Sequence, residues 1–228
     1  MNEIRIEVTV AAPPEVVWQA LSDPELIRRW HGWELDSLDE EIGIIYGTAA
    51  YDRDALTVSM GDGDRFTLHP ADAGTTVRIT RAPKGNNPEW DEWYDDVTQG
   101  WRIFLAQLKF GIENHSLAPR RTIFLEGRAE QPIAAVLGIG APGRLELPTG
   151  DIVDTRATFV SDDVAGLVVA QWGPGLLVYG DQPRNANRPD GGAMVLITTY
   201  GLADHDELAQ RWTDWWSATA APADARSA

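Results

Sequence analysis

Apolar and polar residues alternate at the start of the chain, with Ile4, Ile6, Val8 and Val10 on one side, the period of a strand with one buried face. Ala11-Ala12-Pro13-Pro14 ends the run, and proline in the first helical turn starts a short helix whose Val16, Val17, Ala20 and Leu21 recur at helical spacing. Ser22 or Asp23, placed before Pro24, caps a second short helix carrying Leu26, Ile27 and Trp30, which Gly32 stops. Residues 33–82 then read as short strands at 33–38, 42–50, 56–60, 65–69 and 75–81, with turns at Asp62-Gly63 and Ala73-Gly74. After a polar loop at 83–88, a long helix runs from Glu89 or Asp91 to Glu113. Val97, Trp101, Phe104, Leu105, Leu108 and Ile112 form its apolar stripe.

The second half repeats this order with losses. A strand at 122–127 and a short helix at 129–137 lead into strand patterns at 144–147, 155–160, 166–172, 176–179 and 193–200. Asp204 or Asp206 caps a final helix through Trp216, and the residues from Ala218 onward read as a frayed tail. Gln99-Gly100-Trp101 in one long helix matches Gln210-Arg211-Trp212 in the other, with Phe104 and Leu105 answering Trp215 and Trp216. The separation is domain-sized and too long for a solenoid unit. Two related domains follow, at 1–116 and 117–228. The second copy is the degenerate one, because the glycine-rich stretch at 138–143 cannot propagate the second short helix.

A strand, two short helices, a run of antiparallel strands and a long terminal helix is an order that resembles the START-like or helix-grip fold. At residue level the first domain is similar to the polyketide-cyclase and chaperone-ATPase-activator branch of the SRPBCC superfamily. The stretch from Ile6 through Pro14, Trp18, Leu21 and Asp23-Pro24 to Trp30 carries the likeness, together with Gly100-Trp101, Leu105 and Leu108. Over 119–218 the likeness is one of order and helix spacing. The resemblance implies an α+β fold, present twice, in which a curved antiparallel sheet grips the terminal helix around an apolar cavity. That superfamily binds lipids, sterols, polyketides or hormones there, some members catalyse cyclisation or dehydration, and others act through protein contacts. No catalytic motif is common to it, so the fold does not choose among these activities.

Composition narrows the partners. The formal net charge is −16, from 19 Lys and Arg against 35 Asp and Glu. Such a surface repels phosphate backbones and anionic lipid, which argues against nucleic acid as a partner. The chain has no cysteine, which removes disulfides, thiolate metal sites and cysteine nucleophiles. The start lacks the features of a secretory signal and no apolar run reaches bilayer length, so a cytoplasmic location without membrane insertion is expected.

Ten tryptophans are the main compositional oddity. Trp30, Trp33, Trp90, Trp93, Tyr94, Trp101 and Leu105 fall where the resemblance places the cavity mouth and the underside of the helix. A tryptophan offers a broad apolar face and one N–H donor, which suits a wall for an aromatic guest; filling the space between sheet and helix is the competing use. Asp91, Glu92, Asp95 and Asp96 crowd the first turns of the long helix, where its dipole favours carboxylates. His31 is the one histidine near the expected pocket, and His31, His69, His115 and His205 form no metal-spaced pair. Arg81 at the end of the last strand is a candidate for a ligand carboxylate, with its facing left open, whereas Arg78 faces solvent by alternation. Gly-x-Gly-x-x-Gly at 138–143 follows a helix rather than a strand, so it is no phosphate loop. The expectation is binding of a small hydrophobic or aromatic molecule without a cofactor. Its rivals are a cyclase, dehydratase or hydrolase using a pocket carboxylate or His31, and a protein-interaction module resembling the chaperone-ATPase activators.

Overall fold

The computed structural model describes residues 4–85, 93–161, 164–185 and 188–222. It divides into two compact units, residues 1–118 and 119–228. In the first, strand β1 (Arg5–Val10) is followed by helices α1 (Pro14–Ser22) and α2 (Pro24–Ile27). Proline occupies the first turn of both helices, and the Asp23 carboxylate caps α2 by accepting from the Glu25 N–H at 2.9 Å. Four further strands, β2 (Ala50–Asp52), β3 (Thr57–Ser59), β4 (Arg65–Ala71) and β5 (Gly74–Thr80), complete an antiparallel sheet in the order β1-β5-β4-β3-β2. The β4–β5 turn passes so close to the first strand that a Cβ on Gly74 would collide with the Val10 carbonyl, so only glycine fits there.

The segment at 33–50 departs from the strands expected of it. Residues 33–37 form no strand, and Leu38–Tyr46 is a helix, α3. Leu38, Ile42 and Tyr46 are four apart and all buried, while Asp39, Glu40 and Glu41 sit in the first turn, where the helix dipole favours them. The same residues also fit a strand, because Ile42, Ile44 and Tyr46 alternate. The helix wins by burying its four-spaced set, at the cost of leaving Ile44 65% exposed.

The long helix α4 (Tyr94–His115) lies on the sheet. The start expected at Glu89 or Asp91 falls outside the described residues. Trp101, Leu105 and Leu108 join Ile6, Val10, Phe66, Leu68, Val77 and Ile79 of the sheet in one core, with Val97, Phe104 and Ile112 packed at its margin. Near its end, α4 also reaches the outer strand: Lys109 Nζ donates to the Thr9 carbonyl at 2.6 Å, and Glu113 accepts from the Ala11 N–H at 2.8 Å. Ser116 and Leu117 then leave the helix with positive φ, and the Leu117 N–H returns to the Gly111 carbonyl, closing its last turn.

The second unit repeats the plan. Its strands β6 (Arg121–Arg128), β7 (Arg144–Glu146), β8 (Ile152–Val160), β9 (Val164–Val169), β10 (Gly175–Gln182), β11 (Gly192–Thr199) and β12 (Ala221–Pro222) form a sheet in the order β12-β6-β11-β10-β9-β8-β7. The run β6-β11-β10-β9-β8 matches β1-β5-β4-β3-β2: in each unit the opening strand pairs with the last long strand, and the rest follow backwards. The short helix is only α5 (Ile133–Val136), and α6 (His205–Thr219) is the terminal helix, carrying Trp212 and Trp216 into the core. Where the sequence suggested a tail from Ala218, α6 continues to Thr219 and β12 pairs with β6. Among the described residues, no helix is long and apolar enough to cross a membrane.

Tyr200, just beyond β11, makes the stability of the second unit depend on alkaline pH. Burial pushes its hydroxyl up to about 12 from 10.0, with the Arg120 charge opposing. Between those values the folded chain keeps a proton that the unfolded chain releases, so stability falls as pH rises through the window. Across that window the loss amounts to about 3 kcal/mol. Urea unfolding across that range will show the loss, and Tyr200→Phe will remove Tyr200's share of the slope.

Candidate functional site

Among the described residues, Tyr94, Arg81, His31 and Trp30 of the expected site gather around Trp101, in two polar clusters that meet at its indole. Trp101 projects from the second turn of α4 against Phe66 of β4, with ring centroids 5.4 Å apart, and against His31 at 5.7 Å. Its indole N–H donates to Asp64 Oδ2 at 3.1 Å. Asp64 and Arg81 are both buried, with Arg81 Nε 2.6 Å from the same carboxylate oxygen. Asp64 Oδ1 accepts from the Ala82 N–H at 2.8 Å. Arg81 turns inward: it donates to Thr98 Oγ1 at 2.7 Å and to the Tyr94 carbonyl at 3.3 Å, and its guanidinium lies 4.4 Å from the centre of the Tyr94 ring. The Tyr94 hydroxyl donates to the Ala82 carbonyl at 2.8 Å. Arg81, left open in its facing by the sequence, is therefore committed to a buried pair. Arg78 faces outward and pairs with Glu7.

Burial pushes the Asp64 carboxyl above its ordinary value, and the Ala82 N–H and the Arg81 charge offset only part of that. A buried pair adds little over apolar packing but is costly to break from one side. Asp64→Asn will leave the Arg81 guanidinium uncompensated and lower stability by about 3 to 5 kcal/mol. Urea unfolding followed by Trp101 near-ultraviolet dichroism will measure that loss.

The second cluster joins His31, a candidate from the sequence, to Glu41 and Tyr46 of α3, which the expected strand at 42–50 concealed. His31 has no accessible surface. Its Nε2 lies 3.0 Å from Glu41 Oε1 and its Nδ1 3.1 Å from the Tyr46 hydroxyl. A carboxylate only accepts, so Nε2 carries a proton; in the neutral imidazole Nδ1 then accepts from Tyr46. Burial raises the Tyr46 hydroxyl well above its usual value, and Tyr51 and Glu41 push the same way, so Tyr46 stays protonated as a donor. Both ring nitrogens of His31 are engaged. Glu41 is different, since its side chain is 44% exposed and, among the described residues, its second oxygen accepts no hydrogen bond.

Trp30, His31 and Leu105 are buried to within 1%. Even an enclosed void wide enough for one water would expose part of their surface, so these three side chains pack against protein on every side. Trp30 closes the core from the α2 side, donating its indole N–H to the Ala20 carbonyl at 2.8 Å and meeting Phe66 edge-on. Gln107 holds the chain after α2 by donating to the Trp30 and Gly32 carbonyls at 3.1 and 3.0 Å. Near this core, Trp33, Trp93 and Phe104 are partly exposed. Trp33 and Phe104 stand 6.0 Å apart, and Phe104 lies 4.6 Å from the His31 ring. Trp93 is the residue before α4. Trp90 lies outside the described residues.

The second unit does not repeat the Asp64–Arg81 pair. Its register aligns Leu177 and Ile197 as Phe66 and Ile79 align in the first unit. Gly175 therefore holds the position of Asp64, and Thr199 that of Arg81. A Cβ on Gly175 would lie 2.8 Å from Trp172 Cβ, because Trp172 fills that space and packs edge-on against Trp212 at 6.0 Å. Among the described residues of the chain, no group of three or more His, Asp or Glu is placed to hold a metal ion.

No protein-family model matches the chain, and no curated protein matches it. Solved structures do resemble it. DynU16, a protein of the dynemicin biosynthetic locus, is 17% identical with a TM-score of 0.36, over 96% of each chain. The di-domain ARO/CYC BexL from the BE-7585A biosynthetic pathway is 14% identical with a TM-score of 0.39, also over 96% of each chain. The Aha1 dimer from Colwellia psychrerythraea is 19% identical with a TM-score of 0.37, over 50% of this chain and 98% of that one. By its own element order and sheet topology, the chain is a tandem of two START-like, helix-grip units.

Proposed function

We propose that the first unit binds a small hydrophobic or aromatic molecule against the rings of Trp33 and Phe104. The observation that carries this reading is the pair itself: two partly exposed aromatic side chains 6.0 Å apart, with Phe104 backed by the buried His31 ring at 4.6 Å. Aromatic rings gain most when both faces are covered, and a planar guest laid on such a pair removes apolar surface from water while adding ring–ring contact. The buried layer behind, made of His31, Trp30 and Trp101, fixes the floor and spares the site the cost of ordering on binding. Catalysis through His31 as a general base is disfavoured, because a base needs a free ring nitrogen and both of His31's are engaged.

Titration of the purified chain with a panel of planar hydrophobic compounds, followed by intrinsic tryptophan fluorescence and melting temperature, tests the proposal. At least one compound will quench fluorescence and raise the melting temperature. Phe104→Ala will weaken its binding about tenfold, the equivalent of losing one good ring contact. A panel without response, or undiminished binding to Phe104→Ala, would end this reading.

A further inference from the structure

We infer that Glu41 sets the charge class of the ligand: the site takes an aromatic molecule bearing a hydrogen-bond donor, a protonated amine above all, and rejects aromatic carboxylates. This rests on the aromatic site proposed above and goes beyond it by naming the polar end of the guest. Glu41 is not an ordinary surface carboxylate. His31, without accessible surface, grips its Oε1 at 3.0 Å, and the Tyr46 hydroxyl holds that histidine from the opposite nitrogen at 3.1 Å. The same imidazole packs 4.6 Å from the Phe104 ring. A carboxylate is thus pinned one imidazole away from the aromatic surface, with its second oxygen uncommitted among the described residues and its side chain 44% exposed. An acceptor fixed in advance gives up little freedom when a donor arrives, and it cannot turn away when an anion does.

The surroundings bias the site in the same direction. Residues 34–41 contain Glu34, Asp36, Asp39, Glu40 and Glu41 and no lysine or arginine. Arg28 pairs with Asp39, at 2.8 Å, and not with Glu41. This acidic run directly follows Trp33, in a chain of formal net charge −16, which favours a cationic guest over an anionic one. A cationic aromatic guest gains from both the field and the pinned oxygen, a neutral hydroxylated one from the oxygen alone, and an anionic one from neither.

Three probes with one ring system separate these cases: tryptamine, tryptophol and indole-3-acetate, titrated calorimetrically into the full chain at low ionic strength. Tryptamine will bind more tightly than indole-3-acetate by about tenfold or more, with tryptophol between them, and added salt will narrow the gap. Glu41→Gln retains an oxygen to accept from His31 while losing the charge, so it will bring the tryptamine to indole-3-acetate ratio within about threefold. Indole-3-acetate binding as tightly as tryptamine, or a ratio unchanged in Glu41→Gln, would overturn the inference while leaving the aromatic site standing. If none of the three probes binds, the aromatic site itself falls and the inference with it.

Discussion

The Trp101 indole is where the first unit's sheet, long helix and helical entry meet. Its ring packs on Phe66 of β4 and on His31 after α2, and its N–H ends on the carboxylate that neutralises Arg81. Apolar contact is not directional and would let α4 slide or rotate over the sheet. The charged pair beneath is directional: Arg81 reaches two points on α4, Thr98 and the Tyr94 carbonyl, while Asp64 reaches Trp101 one turn further on. Hydrophobic burial supplies attraction and the buried polar cluster supplies register. His31, and with it Glu41, depends on that register because its ring rests against Trp101 and Phe104.

Much of this was legible in the sequence, for physical reasons that differ by element. Strand β1 and helix α4 carry one unmistakable period each, so their buried faces could be named in advance. The repeat was visible through Trp101 and Trp212, since a large ring at the point of closest approach between helix and sheet has few substitutes. The segment that became α3 was misread because Ile42, Ile44 and Tyr46 satisfy a two-residue period while Leu38, Ile42 and Tyr46 satisfy a four-residue one. Local pattern does not decide between those; tertiary packing does. That single ambiguity hid Glu41 and Tyr46, the two partners that give His31 its chemistry. The commitment of Arg81 to Asp64 was hidden for another reason: the two sit just beyond the paired Arg65 and Thr80 at the open end of the β4–β5 hairpin, and only its exact register sets them side by side.

The two units are alike in topology and unlike in what fixes their helices. Where the first has Asp64 and Arg81, the second has Gly175 and Thr199, and Trp172 takes the volume that the ion pair would have needed. A buried ion pair can give way to apolar packing without loss when the replacement fills the same space. The second helix is accordingly seated by the packing of Trp212 on Trp172 at 6.0 Å and by uncharged hydrogen bonds, one between Thr199 and His205 at 2.7 Å and one from the Trp216 indole N–H to the Glu126 carbonyl at 3.2 Å. Calling the second copy degenerate describes its chemistry, not its stability. Its core is as continuous as the first, from Ile123 on β6 to Trp216 on α6.

The contacts that Lys109 and Glu113 make with Thr9 and Ala11 carry a consequence for the life of the molecule in concentrated solution. An outermost strand offers unpaired backbone groups to any other extended chain, the usual start of intermolecular sheet growth. At the end of β1 an ammonium occupies one of those carbonyls and a carboxylate one of the amides just beyond, and the two side chains also pair with each other at 2.6 Å. A strand approaching from outside would have to displace a neutralised ion pair before forming its first ladder bond. The helix that organises the interior thus also guards the margin of its sheet against self-association.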